Sequence, residues 1–307
     1  MKPNPDVALV TAAAARDQDE DLAPLADALR SQNIQVHIVD WDDASADWSA
    51  FDLAVLRSTW DYTMRFSEFI AWVKNVGERT LLLNPLPVIS WNTDKHYLAE
   101  LAASGVPVVS SEFVEPGEDA AKALELFLRT HASAEFVVKP AIGAGSRDAQ
   151  RYARAQVADA WTHVQRLLDM QRSVLLQPYL GRVDEHGETA LVFFGGVFSH
   201  AIRKGPLLRP GEGPTRALFA LEHISPRTPT AEEMRVAERT LKAIPFEQPL
   251  LYARVDLLHA DQDANADADA EPQVLELELT EPSLFFAHAP GSAERFVKAI
   301  MQRLSAR

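Results

Sequence analysis

The chain has 307 residues, 47% of them hydrophobic and 24% charged, an ordinary globular mix with material for more than one core. Its 44 acidic and 30 basic residues leave a formal charge of −14, a field that repels phosphate backbones and anionic lipid, so neither nucleic acid nor membrane is expected as a partner. Cysteine is absent, which removes disulfides, thiolate catalysis and cysteine-based metal centres, and no apolar run approaches the ~18 residues that cross a bilayer; a cytoplasmic protein is the expectation.

The first third alternates between strand and helix signals. Residues 7–10 are a short apolar run. Residues 19–32 place Leu22, Leu25, Ala26 and Leu29 on one helical face. Residues 34–39 and 51–56 read as strands, 66–76 carry Phe66, Phe69, Ile70 and Val73 at helical spacing, and 81–83 form a strand stopped by Asn84-Pro85. This alternation predicts an α/β unit with an open parallel sheet over about 1–90. A second unit, 91–180, begins with a predicted helix over 92–104 that Gly105 stops. A helix over 118–131 follows, then a strand over 136–139 that runs into the small-residue loop from Pro140 to Arg147. A helix over 157–170 and a strand over 174–177 complete it, ending at Pro178-Tyr179-Leu180. The third unit, 181–307, is α+β in character. After a turn-rich start it shows a hairpin, 188–194 and 197–202, around Gly195-Gly196. A helix over 230–244 starts with a Thr230…Glu233 capping box, strands over 250–258 and 274–279 pair, and a helix over 293–304 closes the chain. The acidic stretch between the paired strands imitates the start of a calcium loop at Asp261 and Asp263. Ala266 and Pro272 stand where such a loop needs Gly and Glu, so calcium is not expected there.

Three groups of residues carry chemistry. Alternate residues of a strand share a face, so Glu276 and Glu278 point the same way while Leu275, Leu277 and Leu279 point into a core. Asp256, after Arg254 on the preceding strand, is close enough across an antiparallel pair to join them. Three converging carboxylates repel one another unless a cation intervenes, and oxygen-only ligands suit a hard ion, Mg²⁺ or Mn²⁺; an exposed acidic strand face is the plainer alternative. Lys139 ends a strand just before Gly143, Gly145 and Ser146, whose small side chains let backbone N–H groups approach phosphate; Gly143–Arg147 is thus a candidate lid. Finally, Arg57, Thr59, Asp61 and Tyr62 follow a predicted parallel strand, where open α/β sheets bind ligands. Arg57 can pair with a substrate carboxylate, and the others can orient an amine or hydroxyl.

Taken in order, Lys95, Lys139 with its loop, Gln177-Pro178-Tyr179-Leu180, Glu188, Arg203-Lys204 and then Asp256, Glu276 and Glu278 resemble the ATP-grasp superfamily over about residues 85–290. The resemblance implies an ATP-grasp fold, two lobes sandwiching the nucleotide behind an N-terminal domain. It implies that Lys95 and Lys139 hold phosphates beneath Gly143, Gly145 and Ser146. Gln177, Pro178 and Leu180 would meet adenine, and Glu188 the ribose. Asp256, Glu276 and Glu278 would bind magnesium, and Arg203 and Arg254 would steady the transferred phosphate. Glu278 stands where many members carry Asn. The stretches 56–62 and 278–283 together are similar to the glutathione-synthetase-like subgroup that includes the D-cycloserine (O-ureido-serine cyclo-) ligases. That likeness implies an ATP- and Mg²⁺-dependent ligase joining the carboxylate of a small amino-acid-like substrate to an amine, in the same or another molecule, through an acylphosphate. A nucleotide-binding sensor or partner subunit of the same fold is the alternative, and a homodimer is left open.

Overall fold

The computed structural model describes residues 4–214, 223–247, 249–259 and 271–306; the calcium-loop imitation at Asp261 and Asp263 lies outside them. The N-terminal part comprises β1 (Asp6–Thr11), α1 (Leu22–Arg30), β2 (Gln35–Asp40), β3 (Leu53–Ser58), α2 (Phe66–Gly77) and β4 (Leu81–Leu83). Its strands form a parallel sheet in the order β2-β1-β3-β4. Alternation sorts its two faces. Val7, Leu9, Leu53 and Val55 pack toward α1, whereas Ala8, Val10, Ala54 and Leu56 pack toward α2 and the indoles of Trp41, Trp48 and Trp60. Two short helices follow, α3 (Leu86–Asn92) and α4 (Tyr97–Ala103).

The single helix expected over 92–104 is therefore corrected to two. Asn92 is held by β-strand backbone, its Nδ2 donating to the Leu277 carbonyl at 2.7 Å and its Oδ1 accepting from the Leu279 N–H at 2.7 Å. The Lys95 N–H donates to the Ala141 carbonyl at 3.0 Å instead of continuing a helix. The break turns Lys95 inward.

The middle part comprises β5 (Glu112–Val114), α5 (Ala120–Thr130), β6 (Glu135–Pro140), β7 (Gln150–Ala153), α6 (Val157–Asp169) and β8 (Val174–Pro178). Its antiparallel sheet has the order β5-β8-β6-β7 and is covered by the apolar stripes of α5 and α6. The last part comprises α7 (Val183–His186), β9 (Glu188–Phe194), β10 (Val197–Lys204), β11 (Ile224–Arg227), α8 (Ala231–Ala243), β12 (Tyr252–Leu258), β13 (Gln273–Glu278) and α9 (Ser292–Ser305). These strands form a five-stranded antiparallel sheet, β11-β10-β9-β12-β13. The β9–β10 turn places Gly195 at φ 56° and Gly196 at φ 79°, and a Cβ on Gly196 would lie 2.8 Å from Pro249 Cβ, so glycine is required by both conformation and space. The capping box of α8 forms as expected from Thr230 and Glu233. Helix α9 packs Phe296, Val297 and Ile300 into one core shared by β1, β3, β9 and β12, which binds the first and last parts together.

Candidate active site

The three sheets converge on one deep cleft. Residues from the helix break, β6 with its following loop, the end of β8, β9, β10, β12, β13 and the segments after β3 and β13 all line it. Leu180, Tyr179 and Val183 give one end an apolar wall, with Gln177 and Pro178 beside them. Gly143, Gly145 and Ser146 cover the middle. Gly145 and Ser146 both have positive φ (60° and 57°), which folds this loop over the cavity.

Two lysines line the cleft with that loop. Lys95 Nζ donates to the Gly143 carbonyl at 2.8 Å and lies 2.9 Å from Glu276 Oε1. Burial alone would depress its ammonium, but Glu276 outweighs burial and raises it. Lys139 has no ion pair among the described residues. Burial, with Lys95 and Lys204 nearby, pulls it down to about 8 against the attraction of Glu276 and Glu188. A buried ammonium without a counter-ion, facing a cavity, is a site for an anion.

The acidic strand faces behave differently from one another. Asp256 lies opposite Glu276, and Arg254 opposite Glu278, across the β12–β13 ladder. Asp256 is 1% exposed and does not line the cleft. Its oxygens accept from Arg254 Nε (2.8 Å), Arg254 Nη2 (2.9 Å) and Lys204 Nζ (3.0 Å). Burial opposes its ionisation, but Arg254 and Lys204 prevail and hold it at about 2. Glu276 is also held down, because Lys95 and then Lys139 outweigh burial. Glu278 contacts Arg254, yet burial and the repulsion of Glu276 and Asp256 push it up to about 8. Glu278 thus shares the Arg254 guanidinium with Asp256. Among the described residues no three carboxylates or imidazoles surround one point. Two cleft carboxylates completed by phosphate oxygens are nevertheless the donor set magnesium favours, so the residues fit such an ion.

The substrate-facing residues divide. Tyr62 lines the cleft, and so does Trp60. Arg57 does not: it is fully enclosed, 3.6 Å from both Asp19 and Asp21, with Nη1 donating to the Pro282 carbonyl at 3.1 Å. The expectation that Arg57 reads a substrate carboxylate is corrected on this ground, since its charge is matched inside the protein. Thr59 is fully buried beside it, and Asp61 is turned away to accept from Trp41 Nε1 at 2.8 Å. Arg203 is corrected as well. It donates to the carbonyls of His186 (2.7 Å) and Glu185 (2.8 Å) on the far side of β10. Strand alternation puts Lys204, its neighbour, into the cleft instead, 3.0 Å from Glu188 and Asp256.

Sequence reasoning used the stretch 278–283 for the family resemblance but assigned none of the residues after Glu278 to the site. Glu281, Ser283 and Phe285 line the cleft, and their backbone is tied at nearly every residue. Trp60 Nε1 donates to the Glu281 carbonyl (3.2 Å), Arg254 Nη1 to that of Ser283 (3.1 Å), and His200 Nε2 to that of Leu284 (2.8 Å). Asp21 accepts from the N–H groups of Leu284 (2.5 Å), Phe285 (3.0 Å) and Phe286 (2.7 Å). The available signal was the polar run Thr280-Glu281-Pro282-Ser283 directly after an amphipathic strand.

Comparisons with known proteins point to one family. Residues 7–84 match the family model described as "D-cycloserine synthetase DcsG, N-terminal domain". The chain is 43% identical over 303 residues to the cycloserine biosynthesis protein DcsG of Streptomyces lavendulae, covering 97% of this chain and 98% of that one. It superposes on a crystal structure of D-cycloserine synthetase DcsG with a TM-score of 0.90 at 42% identity, covering 97% and 99% of the two chains. A D-alanine–D-alanine ligase from Bacillus anthracis complexed with ATP shares the fold at a TM-score of 0.62 and 14% identity, covering 98% of each chain.

Proposed function

This chain belongs to the D-cycloserine synthetase family of ATP-grasp ligases and is an ATP-dependent ligase; from that premise we propose that it activates the carboxylate of an O-substituted serine and closes a ring on the substrate's own nitrogen. The observation that carries this reading is the cleft itself, where Lys139, without an ion pair among the described residues, lies with Glu276, Glu278 and the 177–180 linker. On this reading Lys95, Lys139 and Arg254 balance phosphate charge, the Pro178 carbonyl and the Leu180 N–H meet adenine, and Glu188 takes the ribose. Glu276 and Glu278 would hold Mg²⁺ (or Mn²⁺), which, when bound, neutralises charge on the phosphate oxygens. Asp256 supports them from behind by fixing Arg254 and Lys204.

Joining a carboxylate to an amine is uphill in water, so ATP is coupled to it by converting the carboxylate to an acylphosphate with release of ADP. The chain's own contribution is positioning and charge balance. The Gly143–Ser146 loop keeps water from an activated acyl group that would otherwise hydrolyse. The test is a screen for substrate-dependent ADP release over O-substituted D- and L-serines, other amino acids and dipeptides, with product mass read in parallel. ADP release with an O-substituted serine and a cyclised product is expected. Turnover confined to two separate molecules, a carboxylate and an amine, would overturn the ring-closing reading.

A further inference from the structure

Glu281 stands apart from the other acids of the cleft. Asp256, Glu276, Glu278 and Glu188 each meet a lysine or arginine, whereas Glu281 has no ion pair among the described residues. It faces the Tyr62 hydroxyl across the junction between the first and last parts of the fold. Its main chain is held by Trp60 and, one residue on, by Arg57, and the residue lines the cleft. Trp60, Tyr62 and Ser283 line the cleft together with it. A cleft carboxylate not taken up in an ion pair is free to accept N–H hydrogen bonds.

We propose that Glu281 is the catalytic base of the second half-reaction: it accepts a hydrogen bond from the nucleophilic N–H of the substrate and takes its proton as the C–N bond forms. In that step the nitrogen lone pair attacks the acyl carbon, the bond from that carbon to the phosphate oxygen breaks, inorganic phosphate leaves, and the N–H proton passes to Glu281. No oxidant or reductant is needed. Tyr62 is the positioning residue, holding the carboxylate toward the cleft. Burial and the nearby Glu276 hold the Glu281 carboxyl up at about 7, against Tyr62, Lys95 and Arg254, which suits an acceptor that must release its proton again each turnover. This assignment rests on the acylphosphate reading above, which supplies the acyl carbon.

The experiment separates the two half-reactions. Wild type, Glu281→Gln and Tyr62→Phe are given ATP, Mg²⁺ and an O-substituted serine that turns over, with and without hydroxylamine, a nucleophile that is already neutral and strong near pH 7. Product formation and hydroxamate are both measured, and unfolding midpoints check the fold. For Glu281→Gln we expect product formation to fall at least a hundredfold while hydroxamate trapping stays within about threefold of wild type. Tyr62→Phe should show the same split more weakly. Equal loss of both products overturns the assignment, as does a raised substrate KM with the ratio of hydroxamate to product unchanged, which would make Glu281 a binding residue only. If wild type yields no hydroxamate, the acylphosphate reading fails and the assignment falls with it; if wild type does and the Glu281 variant forms product normally, the assignment alone fails. Should Glu281→Gln be unfolded, a Tyr62→Phe variant that is folded but shows no split overturns it instead.

Discussion

Lys139 and Glu278 show how burial changes what a residue can do. On an exposed strand either would be an ordinary charge. In the cleft one is a cation held down to about 8, with no ion pair among the described residues, and the other a carboxylate pushed up to about 8 that shares its arginine with Asp256. Replacing Lys139 by Ala removes a charge-assisted contact of about 1.5–3 kcal/mol, so ATP affinity measured by calorimetry should fall roughly ten- to a hundredfold. Unchanged affinity would detach Lys139 from the nucleotide. Lys204 and Arg203 make a sharper pair, because they are adjacent in sequence and opposite in space. Lys204→Met leaves the buried Asp256 and Glu188 each short of a partner, so on the order of 3 kcal/mol of stability should be lost together with activity. Arg203→Ala gives up hydrogen bonds to two backbone carbonyls and should cost about 1 kcal/mol with turnover nearly intact. Denaturant unfolding and ADP release on both variants check the contrast; the reverse pattern would mean that β10 presents its other face.

Two secondary elements carry buried histidines that titrate as part of their packing. His163 on α6 bonds the Tyr152 hydroxyl at 3.0 Å, and His200 on β10 bonds the Leu284 carbonyl at 2.8 Å. Burial lowers both from 6.5 to about 4. The folded chain therefore takes up these protons at lower pH than the unfolded chain does. Their contribution is complete above pH 6.5 and is lost as pH falls through 6.5 toward 4, by on the order of 2–3 kcal/mol for each histidine. Unfolding midpoints followed between pH 7 and 4 should drop accordingly, and His163→Gln should flatten that dependence. A slope unchanged in the variant would assign the acid sensitivity to other groups. At the same scale, strand and helix periodicities were legible along most of the chain because one face of each element is apolar. The break between α3 and α4 was not. It depends on Asn92 bonding strand β13, some 185 residues away in sequence, and no local pattern carries that contact.

Across the whole molecule the first and last parts are locked together by polar groups inside the protein as well as by the core around α9. Asn84 Nδ2 donates to the Leu279 and Tyr252 carbonyls at 2.7 and 3.0 Å, and its Oδ1 accepts from the Leu251 N–H at 2.9 Å. Asp19, Arg57 and Asp21 form a buried charged group that ends on the backbone of the segment bearing Glu281, Ser283 and Phe285. Arg57→Met should leave two enclosed carboxylates without their cation and cost about 3–5 kcal/mol. The folded fraction should bind ATP normally, because Arg57 is remote from the lysine-lined middle of the cleft. Calorimetry with ATP, alongside denaturant unfolding, checks both halves; a loss of ATP affinity at full stability would reverse the reading.

The ordered series of lysines, small-residue loop, linker and acidic strand was readable in the amino-acid sequence, and with it the ATP-grasp fold and the ligase chemistry. Those features are local: a residue type at a strand end or a two-residue alternation keeps its meaning wherever the strand sits. The facing of Arg57 and Arg203, the withdrawal of Asp256 behind Arg254 and Lys204, and the arrival of Glu281 in the cleft were decided by the tertiary structure alone. Each depends on which distant charge or carbonyl a side chain meets. In a low-dielectric interior that partner, and not the residue type, determines whether a charge is consumed within the fold or left facing the substrate.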